Sequence, residues 1–147
     1  MGTAGGKITG RCLCGAVSFS AVAAKRDVDI CHCGMCRRWS AGPFIGFPHD
    51  GEVAFEGAEN IGLYKSSEWA ERAFCRVCGS SLYYHLLGTD HYSFSVGVLD
   101  DQSGLRLTQE IFIDEKPAYY DFANDTPKLT GAEVFAAFAA DSEARDG

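Results

Sequence analysis

Phe74-Cys75-Arg76-Val77-Cys78-Gly79-Ser80 is the stretch on which the fold turns. A tight turn over the Cys-x-x-Cys spacing aims both sulfurs into the bend. Gly79 suits that turn, because glycine accepts a positive φ and lets backbone amides face the sulfurs. A second pair stands upstream in Cys12-Leu13-Cys14-Gly15. Residues i and i+2 of an extended segment share a face, and Gly15 allows the slight bend that closes the two sulfurs together. Between the pairs lies Cys31-His32-Cys33-Gly34-Met35-Cys36. The order along the chain is CxC, then 16 residues, CxCxxC, then 38 residues, and CxxC. No repeat, low-complexity tract or linker separates the groups, which predicts a single domain.

These spacings point to zinc. A tetrahedral site takes four thiolates at ~2.3 Å, which places neighbouring sulfurs ~3.8 Å apart. CxC plus CxxC supplies such a closed site from Cys12, Cys14, Cys75 and Cys78. Cys31, Cys33 and Cys36 can hold a second ion from one loop and leave its fourth position open, as catalytic zinc sites do. His32 lies between two ligands, so its side chain should point the other way. Iron–sulfur ligation is the chemical competitor, but the spacing matches neither ferredoxin pattern. The bland alternative, buried free thiols, does not explain three clustered groups.

Composition agrees with a compact folded chain. Among 147 residues, 46% are hydrophobic, and 13 basic against 20 acidic side chains give a formal net charge of -7. That apolar fraction excludes intrinsic disorder. An acidic balance disfavours nucleic acid, whose phosphates require a Lys/Arg surface. No run approaches the ~18 apolar residues of a membrane span, so no membrane partner is expected. Met1 to Lys7 lacks the apolar stretch of a signal peptide. A cytoplasmic address follows, where thiols stay reduced and seven cysteines need a use other than disulfides. Oligomeric state is not legible.

Local pattern is mostly β. Short runs rich in aromatic and β-branched residues are punctuated by Gly, Asp, Asn and Pro. Strands are predicted at 16–20, 53–56, 61–65, 82–86, 92–98 and 110–113, with 82–86 and 92–98 forming a hairpin around Gly88-Thr89-Asp90. Residues 34–39 read as a short helix leaving the middle cysteines. Thr130 and Glu133 have capping-box spacing. A helix over 130–140 should pack Val134, Phe135 and Phe138 on the sheet. Residues 1–7 read as a flexible N-terminus, 8–140 as the domain and 141–147 as a disordered tail.

The whole pattern resembles the glutathione-dependent formaldehyde-activating (GFA) family, also called the centromere protein V/GFA domain family. The carrying segments are Gly10-Arg11-Cys12-Leu13-Cys14-Gly15, Cys31-His32-Cys33-Gly34-Met35-Cys36-Arg37, Ala41-Gly42-Pro43-Phe44 and Arg72 to Ser80. Ile111-Phe112-Ile113 and Lys116-Pro117-Ala118-Tyr119-Tyr120 are similar to the family's late "IF…KP.WY" stretch, with Tyr119 where Trp is frequent. The resemblance implies a mainly β, Mss4-like fold with sheets closed over a cavity. It implies a structural zinc on Cys12, Cys14, Cys75 and Cys78, and a second on Cys31, Cys33 and Cys36 near the functional cleft. It also implies carbon–sulfur lyase chemistry, joining a thiol such as glutathione to formaldehyde or another small aldehyde. The alternatives are a non-catalytic zinc-stabilised binding module and a thiolate–zinc redox sensor.

Candidates for proton transfer are His32, His49, His85 and His91. The alternative role for His32 is orienting the zinc loop by hydrogen bonding. Arg37 and Arg38 are candidates for a substrate carboxylate; His32 and Arg37 are the two catalytic candidates. Trp39, Phe44, Phe47, Tyr83, Tyr84 and Phe112 read as core more than as pocket lining. Glu68, Glu71 and Arg72 read as a surface charge cluster.

Overall fold

The computed structural model describes residues 6–146, with side chains as far as residue 140. In chain order the strands are β1 (Gly6–Arg11), β2 (Ser18–Ala23), β3 (Asp27–Cys31), β4 (Phe44–Asp50), β5 (Ala54–Glu56), β6 (Ile61–Lys65), β7 (Ala70–Cys75), β8 (Ser81–Leu86), β9 (His91–Ser95), β10 (Arg106–Ile111) and β11 (Lys128–Leu129). Helix α1 (Gly34–Ser40) follows β3, and α2 (Gly131–Asp146) closes the chain. The protein is therefore mainly β with a C-terminal helix. Among the described residues no helix is long and apolar enough to cross a membrane. Of the segments read as flexible, 1–5 and 147 lie outside the described residues.

The chain divides into two compact units: Met1–Val28 with Ile45–Arg106, and Asp29–Phe44 with Leu107–Gly147. In the first, β1-β2-β5 make one antiparallel sheet and β4-β9-β8-β7-β6 follow one another in a second array. Their inner faces meet in an aromatic core. Phe19 of β2 stacks on Phe94 of β9 at 4.3 Å, and Phe55, Tyr83 and Tyr92 close around them. Phe47 and Tyr83 belong to this core, as read from the sequence. Each such ring contributes about 1.5–3 kcal/mol by burial. The expected hairpin is present as β8 and β9, with Tyr83 opposite Phe94 and His85 opposite Tyr92. Its second strand stops at Ser95, because Val96–Val98 tighten into a 3-10 turn.

The proposed surface cluster at Glu68, Glu71 and Arg72 is not what forms. Arg72 points inward on β7 and is only 4% exposed. Its Nε donates to Ser66 Oγ at 3.1 Å and its guanidinium lies 5.4 Å from the Tyr84 ring centroid. Glu71 instead takes His85 Nδ1 at 2.9 Å.

In the second unit the strand order is β11-β10-β3, with β10 and β11 parallel. Thr130 and Glu133 form the expected reciprocal cap: the Thr130 amide donates to Glu133 Oε1 (2.8 Å) and the Glu133 amide to Thr130 Oγ1 (3.2 Å). Packing of the helix differs from expectation. Phe135 and Phe138 are 56% and 52% exposed, and Phe135 makes an edge contact with Phe112. The helix is held at its start, where the Gly131 amide donates to Asp114 Oδ1 (2.8 Å). It continues past Ala140 to Asp146.

Candidate metal centres

Both cysteine sets converge, each within its own unit. All seven cysteines are free. The sulfurs of Cys12, Cys14, Cys75 and Cys78 lie within 4.8 Å of one another. Cys12 Sγ is 3.7 Å from Cys14 Sγ, and Cys14 Sγ is 3.9 Å from Cys75 Sγ, which matches the edge of a sulfur tetrahedron around zinc, ~3.8 Å. Local geometry builds this. The register of β7 against β8 shifts between Ala73 and Phe74, and such a bulge re-aims the strand end, where Cys75 sits. Amides then turn toward the sulfurs: Val17 N–H toward Cys12 (3.3 Å), Val77 and Cys78 N–H toward Cys75 (3.4 and 3.5 Å).

Gly15 and Gly79 follow the two pairs, and both have φ of 81°, the positive φ expected at Gly79 and the form that the bend expected at Gly15 takes. Gly79 also donates its amide to the Cys75 carbonyl at 2.8 Å. Gly79→Ala should lower stability by about 1–2 kcal/mol from left-handed strain alone, measured by urea denaturation of the metal-loaded protein.

Cys78 and Cys14 are shifted in opposite directions. The Ser80 side chain and amide draw Cys78 down to about 5. Cys14 is drawn down by the Ala16 amide, but desolvation and the three neighbouring sulfurs override this and push it up to about 11. Sulfurs this close cannot all ionise without a counter-charge, so the donor set fits a thiophilic cation.

The second set is assembled by a strand-to-helix transition. Cys31 ends β3. Cys33 caps α1 in extended conformation (φ -64°, ψ 156°), with its sulfur accepting from the Cys36 amide at 3.4 Å. Cys36 follows in the first turn. Their three sulfurs lie within 4.8 Å of one another, and among the described residues no fourth His, Cys, Asp or Glu joins them. Hydrogen bonds from Cys33 and Cys36 hold the Cys31 thiol far above its ordinary range, with desolvation adding to them. The same fit to a thiophilic cation follows. Phe44 is buried with the three cysteines, and Trp39, Ile111 and Phe112 pack against them. Phe112 reaches this place in a left-handed conformation, φ 54°, costly for a bulky residue.

His32 turns away from the sulfurs, as its place between two of them predicts. It is fully buried, with Nε2 2.8 Å from Glu110 Oε1 and Nδ1 2.8 Å from the Tyr120 hydroxyl. Arg37 Nε donates to the His32 carbonyl at 2.9 Å. Both catalytic candidates are thus engaged in holding the cysteine loop. Arg38 is exposed and reaches back to the Gly34 carbonyl. The other histidines belong to the first unit: His49 is buried beside Phe94, His85 pairs with Glu71, and His91 with Asp50. A groove of about 670 Å³ in that unit is lined by Ser20–Val22, Gly51–Ala54, Asp90 and Tyr92, with no cysteine among them.

Glu110 was read only as the start of a strand, and Tyr120 only as part of a late motif. A buried carboxylate has no local signature, because its partner lies 78 residues away in the chain.

Fold and sites together define a small, mainly β protein carrying two convergent sulfur-donor sites. The family model described as glutathione-dependent formaldehyde-activating enzyme (GFA) matches residues 7–115. The chain belongs to that family. A relative from Schizosaccharomyces pombe, described as an uncharacterized lyase, is 36% identical over 126 residues, covering 85% of this chain and 92% of the relative. A crystal structure of a Rhodobacter sphaeroides protein is similar with a TM-score of 0.55 and 27% identity, covering 68% of this chain and 99% of that one.

Proposed function

We propose that the protein is a zinc-dependent carbon–sulfur lyase of the GFA type, combining a thiol such as glutathione with formaldehyde or another small aldehyde. The observation that carries this reading is the three-sulfur set of Cys31, Cys33 and Cys36, which no fourth His, Cys, Asp or Glu completes among the described residues. In this reading Cys12, Cys14, Cys75 and Cys78 hold a structural zinc, giving two ions per chain, and the protein works in the cytoplasm on small molecules. Cys31, Cys33 and Cys36 would hold the zinc, which would supply a soft position able to deprotonate an external thiol. In the reaction the thiol sulfur forms a bond to the aldehyde carbon. The carbonyl π pair moves to oxygen, and the thiol proton ends on that oxygen, giving a hydroxymethyl thioether.

The chain's own residues prepare the setting. Trp39, Phe44, Ile111 and Phe112 keep water from the three sulfurs, which strengthens electrostatic interactions there. Arg37 and Arg38 put positive charge beside the loop, suited to a thiol that carries carboxylates.

A purely structural second site is favoured by one observation, the burial of Cys31, Cys33 and Cys36. The two readings part in one experiment. Zinc content is measured together with the rate of S-hydroxymethylglutathione formation and breakdown by exchange NMR. The lyase reading expects two zincs per chain and exchange at least ~10-fold above the uncatalysed rate, a barrier reduction of about 1.4 kcal/mol. Two zincs with uncatalysed exchange for glutathione and other small thiols would overturn the lyase reading.

A further inference from the structure

We infer that Glu110 and Tyr120 are positioning residues for the three-cysteine site, acting through His32. The inference rests on the reading of Cys31, Cys33 and Cys36 as metal ligands. Every polar atom of His32 is engaged. Its amide donates to the Ile111 carbonyl (3.1 Å), its carbonyl accepts from Arg37 Nε (2.9 Å), and its two ring nitrogens meet Glu110 and Tyr120 at 2.8 Å each. Glu110 Oε1 and the Tyr120 hydroxyl thus meet the ring at its two edges, whichever nitrogen carries the hydrogen. Lys128 Nζ lies 3.5 Å from the other Glu110 oxygen.

The geometry gives this clamp a purpose. His32 is bonded on both sides to cysteines, and in extended backbone its ring and their side chains leave opposite faces. Fixing the ring from both edges fixes the peptide units that carry Cys31 and Cys33. Splaying those sulfurs would break two hydrogen bonds, the one to Glu110 fully buried. Core filling alone does not call for this arrangement, since apolar side chains of similar volume avoid the desolvation cost of a buried acid and imidazole.

Tyr120 is itself held in place. Lys116 Nζ donates to the Pro117 carbonyl (2.9 Å) and to the Tyr120 carbonyl, pairs with Asp121 (2.9 Å), and lies 5.0 Å from the Tyr120 ring centroid. The Lys116-Pro117-Ala118-Tyr119-Tyr120 stretch is thus a staple and a reaching hydroxyl, 88 residues from the histidine it meets. Glu115 adds a tie from the same segment, its Oε1 accepting from the Gly34 amide at 3.0 Å.

Cobalt(II) titration of the metal-free protein tests this, because thiolate–cobalt bands report each site's affinity and geometry. Tyr120→Phe removes one hydroxyl and keeps the ring. Glu110→Leu removes the acceptor, and Glu110→Gln keeps an acceptor of the same shape. Tyr120→Phe and Glu110→Leu should weaken cobalt binding at the three-cysteine site by about 10–100-fold and shift its bands. Glu110→Gln should recover most of the affinity, and the four-cysteine site should be unchanged throughout. If Glu110→Leu fails to fold, Tyr120→Phe alone decides. Unaltered second-site affinity and bands in Tyr120→Phe would overturn the inference, as would equal weakening of both sites. If wild-type protein takes up one cobalt per chain, the underlying reading fails and the inference falls with it.

Discussion

Cys75→Ser is expected to abolish the folded first unit. Cys75 has no exposed surface and ends β7. Its amide donates to the Ser80 carbonyl (2.9 Å) and its carbonyl accepts from Gly79 (2.8 Å), so the residue anchors the turn as well as the sulfur set. A serine oxygen is a poor substitute for a thiolate toward a thiophilic ion. Structural zinc contributes on the order of 10 kcal/mol in small domains, comparable with the whole stability of such a domain, about 5–15 kcal/mol. The variant should therefore show no cooperative thermal transition by circular dichroism and rapid proteolysis. Strong chelators should drive wild-type protein to the same state. A cooperative melt near wild type, with zinc absent from this site, would show that the sulfurs do not hold the fold.

Cys33→Ser should behave in the opposite way, sparing the fold and removing the chemistry. Cys33 is the N-cap of α1, its sulfur accepting from the Cys36 amide. Serine is among the best N-cap residues, so the helix start survives while one of three sulfurs is lost. Zinc should fall from two ions to one per chain. The melting temperature should stay within about 5 °C of wild type, corresponding to roughly 1 kcal/mol. Thiol–aldehyde exchange should drop at least ~100-fold, a rise in barrier of about 2.7 kcal/mol. Unchanged thiol binding and turnover without the second ion would refute the proposed role of Cys31, Cys33 and Cys36.

Several features were legible because they are local. Cys12-Leu13-Cys14 and Cys75-Arg76-Val77-Cys78 carry their geometry in their spacing, Gly15 announces a bend and Gly79 a left-handed turn. The β6 strand, the β8–β9 hairpin, α1 and the Thr130–Glu133 cap obey short-range rules and appear at or near the positions read for them. Strand β7 was missed because Ala70-Glu71-Arg72-Ala73 has poor β propensity, and its neighbours, not its composition, make it extended. Strand β4 was missed because Pro48 demotes such a run. The apolar residues of α2 gave a helix but not a burial partner, and Phe135 and Phe138 remain more than half exposed.

By itself the sequence determined the mainly β class, the division of seven cysteines into four and three, and the resemblance to the family. These depend on residue types a few positions apart, where bond geometry leaves few choices. Only the tertiary structure decided that Arg72 turns inward, that Phe112 adopts a left-handed conformation against the three sulfurs, and that His32 is clamped between Glu110 and Tyr120. Those arrangements pair groups separated by 78 and 88 residues or depend on which face a strand presents. A lone buried polar group costs too much to stand unpaired. Its partner is chosen by the fold, and no local pattern in the chain can name it.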